Sequence, residues 1–437
     1  MNDQVNRRKF IKMTGAAGVG LGVMGGASGA LGRSGANDIV NMAIIGTNSR
    51  GNSHARGFAG LPNANVAYIC DVDDEAIKKG LKSVADGGQT TEPKAVNDFR
   101  EALDDPSVDA IAIAAPIHWH APASILALKA GKHVYVEKPC SHNAREGELL
   151  VAAAEKYNRV VQMGNQRRSW PNVQKGLQLL KDGAIGRTYF ARCWYASRRG
   201  SIGYGKPVPV PANLNFDLWQ GPAPRRPYKD NLVHYNWHWH YHWGVGELLN
   251  NGVHFLDLAR LGLGVDYPTR VMSSGGRYHW KDDQETPDTQ VVTYDFPGEK
   301  SMTWEARSCN PRGMEGSSTG VSFHGENGTL IIDGNGYVVY DRDNNETGNS
   351  NDEDTGQPFD SNRDHHANFI DCIINGKRPT SHIADANKSV HLCHLGNIAH
   401  RTGRVINCDV HDGRIIGDSG AMQYWSREYE PGWEPTI

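Results

Sequence analysis

Val40-Asn41-Met42-Ala43-Ile44-Ile45-Gly46-Thr47-Asn48-Ser49-Arg50-Gly51 is the stretch on which the fold turns. An apolar run of strand length, Val40 to Ile45, ends on a glycine. Five residues later a second glycine opens a helical segment, Gly51 to Gly60. A dinucleotide-binding turn needs glycine for the tight turn, for backbone approach to a pyrophosphate and for helix packing. Asn48 stands where the middle glycine is expected. Asparagine tolerates a left-handed backbone better than most residues, so the turn is expected to survive. Alone, this pattern also fits an ordinary strand–helix turn. Asp71 adds weight: it ends the next strand, Val66 to Cys70, 25 positions after Gly46. A carboxylate about 20 residues on reaches the ribose hydroxyls and repels a 2′-phosphate, so NAD is expected rather than NADP.

Working outward, strands and helices alternate. Helices are expected over Asp74 to Ala85 (capped by Asp73 or Asp74), Asp98 to Leu103, Ala121 to Ala130 and Asn143 to Tyr157. Strands are expected over Asp109 to Ala114, His133 to Val136 and Val160 to Met163. Such alternation predicts βαβ units on a doubly wound parallel sheet, an α/β Rossmann domain over residues 38–167. Beyond Asn165 strands dominate: Thr188 to Tyr195, Thr269 to Gly275, Gln290 to Asp295, Ser301 to Ala306, Gly320 to His324 and Gly328 to Asp333. One helix, Gly246 to Leu261, interrupts them. Asp341 to Asn362, acidic and Asn-rich, reads as a surface loop, and helices close the chain at His365 to Asn375 and Ile383 to Arg401. Residues 168–437 are therefore expected to form an α+β domain on a large, mostly antiparallel sheet.

The chain has 437 residues, a net charge of −3 and 38% hydrophobic residues. That composition supports packed domains and gives no electrostatic footprint for nucleic acid. The seven cysteines form no CxxC pair and read as buried small hydrophobes. Asn6-Arg7-Arg8-Lys9-Phe10-Ile11-Lys12 precedes an apolar, Gly/Ala-rich stretch too short for a stable membrane span. It resembles a twin-arginine (Tat) export signal over residues 1–33, which predicts an exported, periplasmic protein.

Glu137-Lys138-Pro139 follows the strand His133 to Val136, and Ala115-Pro116-Ile117-His118-Trp119-His120 follows the strand before it. In doubly wound sheets these carboxyl ends face the ligand crevice. With Gly186-Arg187, Trp219-Gln220-Gly221-Pro222, Glu247 to Leu261 and Asn368-Phe369 to Gly403-Arg404, these residues resemble the Gfo/Idh/MocA oxidoreductase family. The resemblance implies NAD(P)-dependent chemistry on sugars and cyclic polyols, in homo-oligomers. It implies a cofactor site at Gly46, Asn48, Ser49, Arg50, Gly51, Asp71, Ala115, Pro116, His118, His120, Glu137, Lys138 and Asn165. Lys138 matches the family lysine at the reacting hydroxyl, and His254 the histidine of its Asp-x-x-x-His motif, whose aspartate position falls on Asn250. Oxidising an alcohol removes a hydride and a proton. His254 would take the proton, and Lys138 would stabilise the developing alkoxide. Asn250 and His254 are four apart, which puts them on one helix face.

Trp237-His238-Trp239-His240-Tyr241-His242-Trp243, if extended, places three histidines on one face. With Trp219, the residues His238, His240, Tyr241 and His242 are candidates to line a sugar cleft. A metal there is not expected, since no carboxylate joins them at ligand spacing. His365 and His366 are further candidates by family position. Three functions stay open: a sugar or glycoside dehydrogenase with tightly held NAD, with C3 a candidate carbon; an NAD-dependent glycosidase or lyase that oxidises, eliminates and re-reduces; and a sugar-binding protein without catalysis, against which Lys138 and His254 argue.

Overall fold

The computed structural model describes residues 39–350 and 360–437. The twin-arginine stretch lies outside these residues.

In the first domain, β1 (Val40–Ile45), β2 (Ala64–Cys70), β3 (Lys94–Val96), β4 (Ala110–Ile113), β5 (His133–Val136) and β6 (Val161–Met163) form one parallel sheet in the order β3-β2-β1-β4-β5-β6. This is the doubly wound arrangement, with a switch point between β1 and β4. Helices α1 (Arg50–Ala59), α2 (Asp74–Asp86), α3 (Arg100–Asp104), α4 (Ile117–Lys129) and α5 (Ala144–Tyr157) connect the strands. Asp73 caps α2 by accepting from the N–H groups of Glu75 and Ala76. Asn143 caps α5 in the same manner.

Helix α4 begins four residues before the sequence reading placed it. The helix starts directly after Pro116 and carries Pro122 inside. A proline there removes the N–H that His118 would otherwise accept. The freed His118 carbonyl instead accepts from Arg427 Nη2, 2.8 Å away in the C-terminal segment.

In the second domain the strands are β7 (Thr188–Ala196), β8 (Arg270–Gly276), β9 (Thr289–Phe296), β10 (Lys300–Arg307), β11 (Thr319–Gly325), β12 (Gly328–Asp333), β13 (Gly336–Asp341), β14 (Glu346–Asn349) and β15 (Ile406–Asn407). They form one sheet, β14-β13-β12-β11-β7-β10-β9-β8-β15, antiparallel throughout except for the β7–β10 pair. The surface loop expected from Asp341 onward therefore contains a strand, β14, paired to β13. Helices α6 (Pro171–Lys181), α7 (Phe216–Gln220), α8 (Val253–Leu263), α9 (Arg363–Asn375), α10 (Ile383–Thr402) and α11 (Ser419–Met422) complete the elements used below. Strand β9 alternates buried and exposed residues, with Val292 and Tyr294 inward and Val291 outward, because α8 and α10 cover one face. A buried ion network locks those helices: Arg168 pairs with Asp257 at 2.6 Å and Asp385 at 2.7 Å, and Arg260 also reaches Asp385 at 2.7 Å.

Helix α9 returns to the first domain. Phe369 and Ile370 join Met42, Ile44 and Tyr135 in one buried cluster. All seven cysteines are free thiols, six of them buried. Among the described residues no helix is long and apolar enough to cross a membrane.

Candidate active site

A cleft of about 280 Å³ opens at the carboxyl ends of β1, β4 and β5, where the two domains meet. Its floor is the turn after β1. Gly46 has φ +84°, and a Cβ there would stand 2.6 Å from the Ala115 nitrogen. A Cβ on Gly51 would stand 1.9 Å from the Gly46 oxygen. Both glycines are thus required by close backbone approach. Asn48 is not among the residues with positive φ, so the left-handed tolerance expected of it is not used. Its amide oxygen accepts from Lys79 Nζ at 2.7 Å. Asp71 accepts the N–H of Thr47 at 2.5 Å and of Asp73 at 3.0 Å, tying the end of β2 to the glycine turn. Burial pushes its carboxyl above the ordinary value. Asn48, Ser49, Arg50, Asp71, Ala115, Pro116 and His120 all line the cleft. The cradle that admits no Cβ and the carboxylate at the end of β2 fit a dinucleotide with free ribose hydroxyls. Both ring nitrogens of His120 face carbonyls, Pro139 at 2.6 Å and Ala115 at 2.7 Å, and the buried neutral ring donates to one of them, between the turns after β4 and β5.

The chemical end lies at Glu137-Lys138. The Glu137 carboxylate is buried and accepts from Arg50 Nε at 2.7 Å, His54 Nε2 at 3.0 Å and Gln166 Nε2 at 2.9 Å. Burial alone would raise its pKa. The charge of Arg50, with the bond from His54 and the charge of Lys138, holds it well below the usual range. Beyond it, His54 Nδ1 meets His366 Nε2 at 2.8 Å. If His54 gives its Nε2–H to Glu137, His366 must donate in turn, which fixes both tautomers.

Lys138 Nζ crosses the domain boundary and donates to the Asn250 carbonyl at 2.6 Å and to its side-chain oxygen at 3.3 Å. Burial lowers the ammonium pKa, and Glu137 and Glu247 oppose that shift. Asn250 sits in a π-helical turn, Leu248–Gly252, ahead of α8. Such turns loosen the regular ladder and recur at functional sites. No hydrogen bond joins Asn250 to His254, so the expected partnership of the two is replaced by one between Asn250 and Lys138. His254 does not line the cleft. Its Nδ1 is buried without a partner, and burial with the Lys138 charge keeps the imidazole well below its ordinary pKa, hence neutral.

The aromatic–histidine tract is not extended. A 3-10 turn over Asn236–Trp239 followed by further turns sends its histidines apart. His238, stacked on Trp237, lines the cleft beside Trp219, and burial drops its pKa to about 3. His240 lies 3.7 Å from Glu285, and His242 bonds the Pro224 carbonyl at 2.7 Å. Tyr241 lies with His242 at a separate cavity. His118 bonds the Trp219 carbonyl at 2.9 Å instead of facing the cleft. Asn165 is buried behind the cleft with neither amide atom partnered. His365 is tied to Ser169 and the Met163 carbonyl, at the junction with α9. Among the described residues no cluster of His, Cys, Asp or Glu could hold a metal.

Four residues escaped the sequence reading. Arg199 pairs with buried Glu247 at 2.6 Å, one turn before Asn250. His234, 2.7 Å from Asp73, and Tyr235 line the cleft. Glu247 heads the Glu247 to Leu261 segment and was readable as a buried helix-start carboxylate. Arg199 carried no local signal.

Residues 40–165 match the family description "Oxidoreductase family, NAD-binding Rossmann fold", and residues 200–408 match its "C-terminal alpha/beta domain". A glycosyl hydrolase family 109 protein of Saccharopolyspora erythraea is 32% identical over 204 residues, 42% of this chain and 44% of that protein. An alpha-N-acetylgalactosaminidase of Tannerella forsythia is 25% identical over 286 residues, 58% of this chain and 60% of that protein. The chain thus spans less than two thirds of these curated relatives. Levoglucosan dehydrogenase, solved with NADH and levoglucosan, shares the fold with a TM-score of 0.65 at 18% identity, covering 84% of this chain and 99% of that one. With both domains matched in chain order on a glycine cradle that fits NAD, the chain belongs to the Gfo/Idh/MocA family of NAD-binding oxidoreductases.

Proposed function

We propose that this enzyme oxidises a ring hydroxyl of a sugar or glycoside, with NAD held in the cleft as a tightly bound cofactor. The observation that carries this reading is Lys138, a half-buried ammonium lining the nucleotide cleft whose Nζ is aimed across the domain boundary. NAD, when bound, supplies the acceptor for the electrons leaving the sugar carbon. Lys138 stabilises the oxygen as negative charge builds on it. His254 is neutral and feels the Lys138 charge but does not line the cleft, so it takes the hydroxyl proton through Lys138: the ammonium passes a proton to the imidazole and takes one from the hydroxyl. Trp219, Tyr235 and His238 give the sugar apolar faces and a polar edge. The twin-arginine stretch supports export of the folded enzyme, and the family supports a homo-oligomer.

A second reading is favoured by the names of the relatives, a glycosyl hydrolase family 109 protein and an alpha-N-acetylgalactosaminidase. In that reading a ketone at C3 acidifies the C2 proton, a base removes it, the substituent at C1 departs with a proton, water adds across the C1–C2 double bond (hydroxyl to C1, a solvent proton to C2), and the ketone is returned to the alcohol. Incubating NAD-loaded protein with a panel of sugars and glycosides in deuterated water separates the two. Oxidation predicts a keto sugar matched by reduced cofactor, with C2 unlabelled. Deuterium at C2 with released aglycone and no net redox overturns oxidation in favour of cleavage. No turnover of any sugar overturns both.

A further inference from the structure

Ring contacts run from Trp219, on the cleft wall, to Trp243 at 5.8 Å and on to His242 at 4.6 Å. There two adjoining cavities of about 290 and 280 Å³ share His142, Tyr241 and Arg427. No residue that lines them also lines the cofactor cleft. Their walls come from the turn before α5, from α10, and from the chain after α11.

The polar groups facing this space are left incomplete. His142 is only 8% exposed, yet neither ring nitrogen has a hydrogen-bond partner. Arg427 gives Nε to Glu146 at 2.9 Å and Nη2 to the freed His118 carbonyl at 2.8 Å, while its buried Nη1 has no acceptor. A buried donor that nothing meets is unfavourable. Arg401 lies against the rings of Tyr241 at 4.4 Å and Tyr424 at 4.0 Å, and among the described residues no carboxylate pairs with it. Arg225 and Arg226 add two further cations, the first bridged to Asp217, and Glu428 is the single carboxylate on either wall. The space is polar, positively charged and short of acceptors.

We infer that these joined cavities are a second ligand site, separate from the cofactor cleft, that takes a small oxyanion such as a carboxylate or phosphate group. An oxyanion there accepts from Arg427 Nη1, from one N–H of His142 and from Arg401, whose guanidinium lies close to two rings. Charge-assisted bonds of this kind are the strong ones.

Calorimetric titration of NAD-saturated protein, in which the pyrophosphate cradle is filled, tests the site with three probes: inorganic phosphate, glucuronate and glucose. Binding of phosphate or glucuronate, but not glucose, is expected. Phosphate binding without glucuronate identifies a phosphate site, and the reverse a carboxylated sugar site. R401A should weaken binding by about 10- to 100-fold, the span of one charge-assisted bond, and R401K should restore part of it. K138A, in the other cleft, should leave it unchanged. Because Arg401 is exposed and no hydrogen bond or ion pair ties its side chain among the described residues, R401A should keep its fold, which circular dichroism checks. Absence of heat with both anions overturns the inference and leaves a water-filled cavity. Equal anion affinity in R401A and wild type, loss of anion binding in K138A, or glucose binding that R401A weakens as much as it weakens glucuronate overturns it too.

Discussion

Replacing Glu137 with Gln keeps the shape of the side chain and removes its charge. Glu137 is the largest force holding the Lys138 ammonium charged against the lowering effect of burial, and Arg50, left unpaired, adds repulsion. An opposite charge within about 4–6 Å shifts a pKa by about 1–3 units, so E137Q should drop the Lys138 pKa by that amount from a value already below its ordinary one. The alkaline limb of kcat/KM, measured with whichever sugar the panel identifies, should move down by about 1–3 pH units. A readout independent of substrate is the pH dependence of Lys138 acylation followed by mass spectrometry, which should shift equally. Stability should fall as well. Breaking a buried ion pair costs about 3–5 kcal/mol, and here less, about 1–3 kcal/mol, because the Arg50 side chain is 36% exposed. The Glu137 pKa is depressed in the folded state, so its contribution is present above the unfolded value near 4.5 and is lost as pH falls through the folded one. Acid unfolding of E137Q should therefore be flatter in pH than that of the wild type. An alkaline limb and an acylation profile that both stay in place while stability drops would refute the electrostatic link between Glu137 and Lys138.

K138A should retain fold and cofactor while losing about 10²-fold or more in rate, the scale of one lost charge stabiliser; near-normal turnover refutes the assignment. H254A should lose about 10²- to 10⁴-fold, and if the loss is confined to KM the residue is not the base. N250D places a carboxylate on Lys138, so the alkaline limb should move up in pH; movement of a His254 acid limb alone would show that Asn250 serves the histidine instead. G46A forces φ +84° on a residue with a Cβ and drives that Cβ to 2.6 Å from Ala115, so equilibrium dialysis should show NAD affinity reduced by at least tenfold, at a strain of about 1–2 kcal/mol.

The first domain was legible because its strands are short, apolar and flanked by capped helices: β1, β5, α2 and α5 fall within a residue or so of where pattern and caps put them. Strand β3 was not, since Lys94-Ala95-Val96 is three residues long and mostly exposed. Helix α6 carried signals that went unread, with Pro171 at its start and Val173, Gly176 and Leu180 buried at helical spacing. Strand β14, Glu346-Thr347-Gly348-Asn349, offers no apolar residue, so only its pairing with β13 defines it. In the site, local patterns located Gly46, Asp71 and Lys138, each at the end of a strand. The aromatic–histidine tract misled because strict alternation mimics a strand, whereas backbone bonds such as the Gly244 N–H to the His240 carbonyl at 2.7 Å fold it into turns. Arg199 and Glu247, 48 residues apart, meet only through the tertiary fold.

Helix α9 gives the chain an order of events. The first domain lacks part of its own interior until Phe369 and Ile370 arrive, and Arg50 at the head of the nucleotide turn awaits Asn362, 2.8 Å away, while His54 awaits His366. On the ribosome, residues 40–165 therefore emerge long before the segment that seals them. Every strand of the second sheet except β15 is translated in between. The nucleotide domain lacks these contacts while the second sheet is being made, unlike an amino-terminal domain that folds as a self-contained unit. Its completion waits for the α9 segment, so a cofactor that requires the ordered Arg50–Glu137 corner is captured only after that segment has docked.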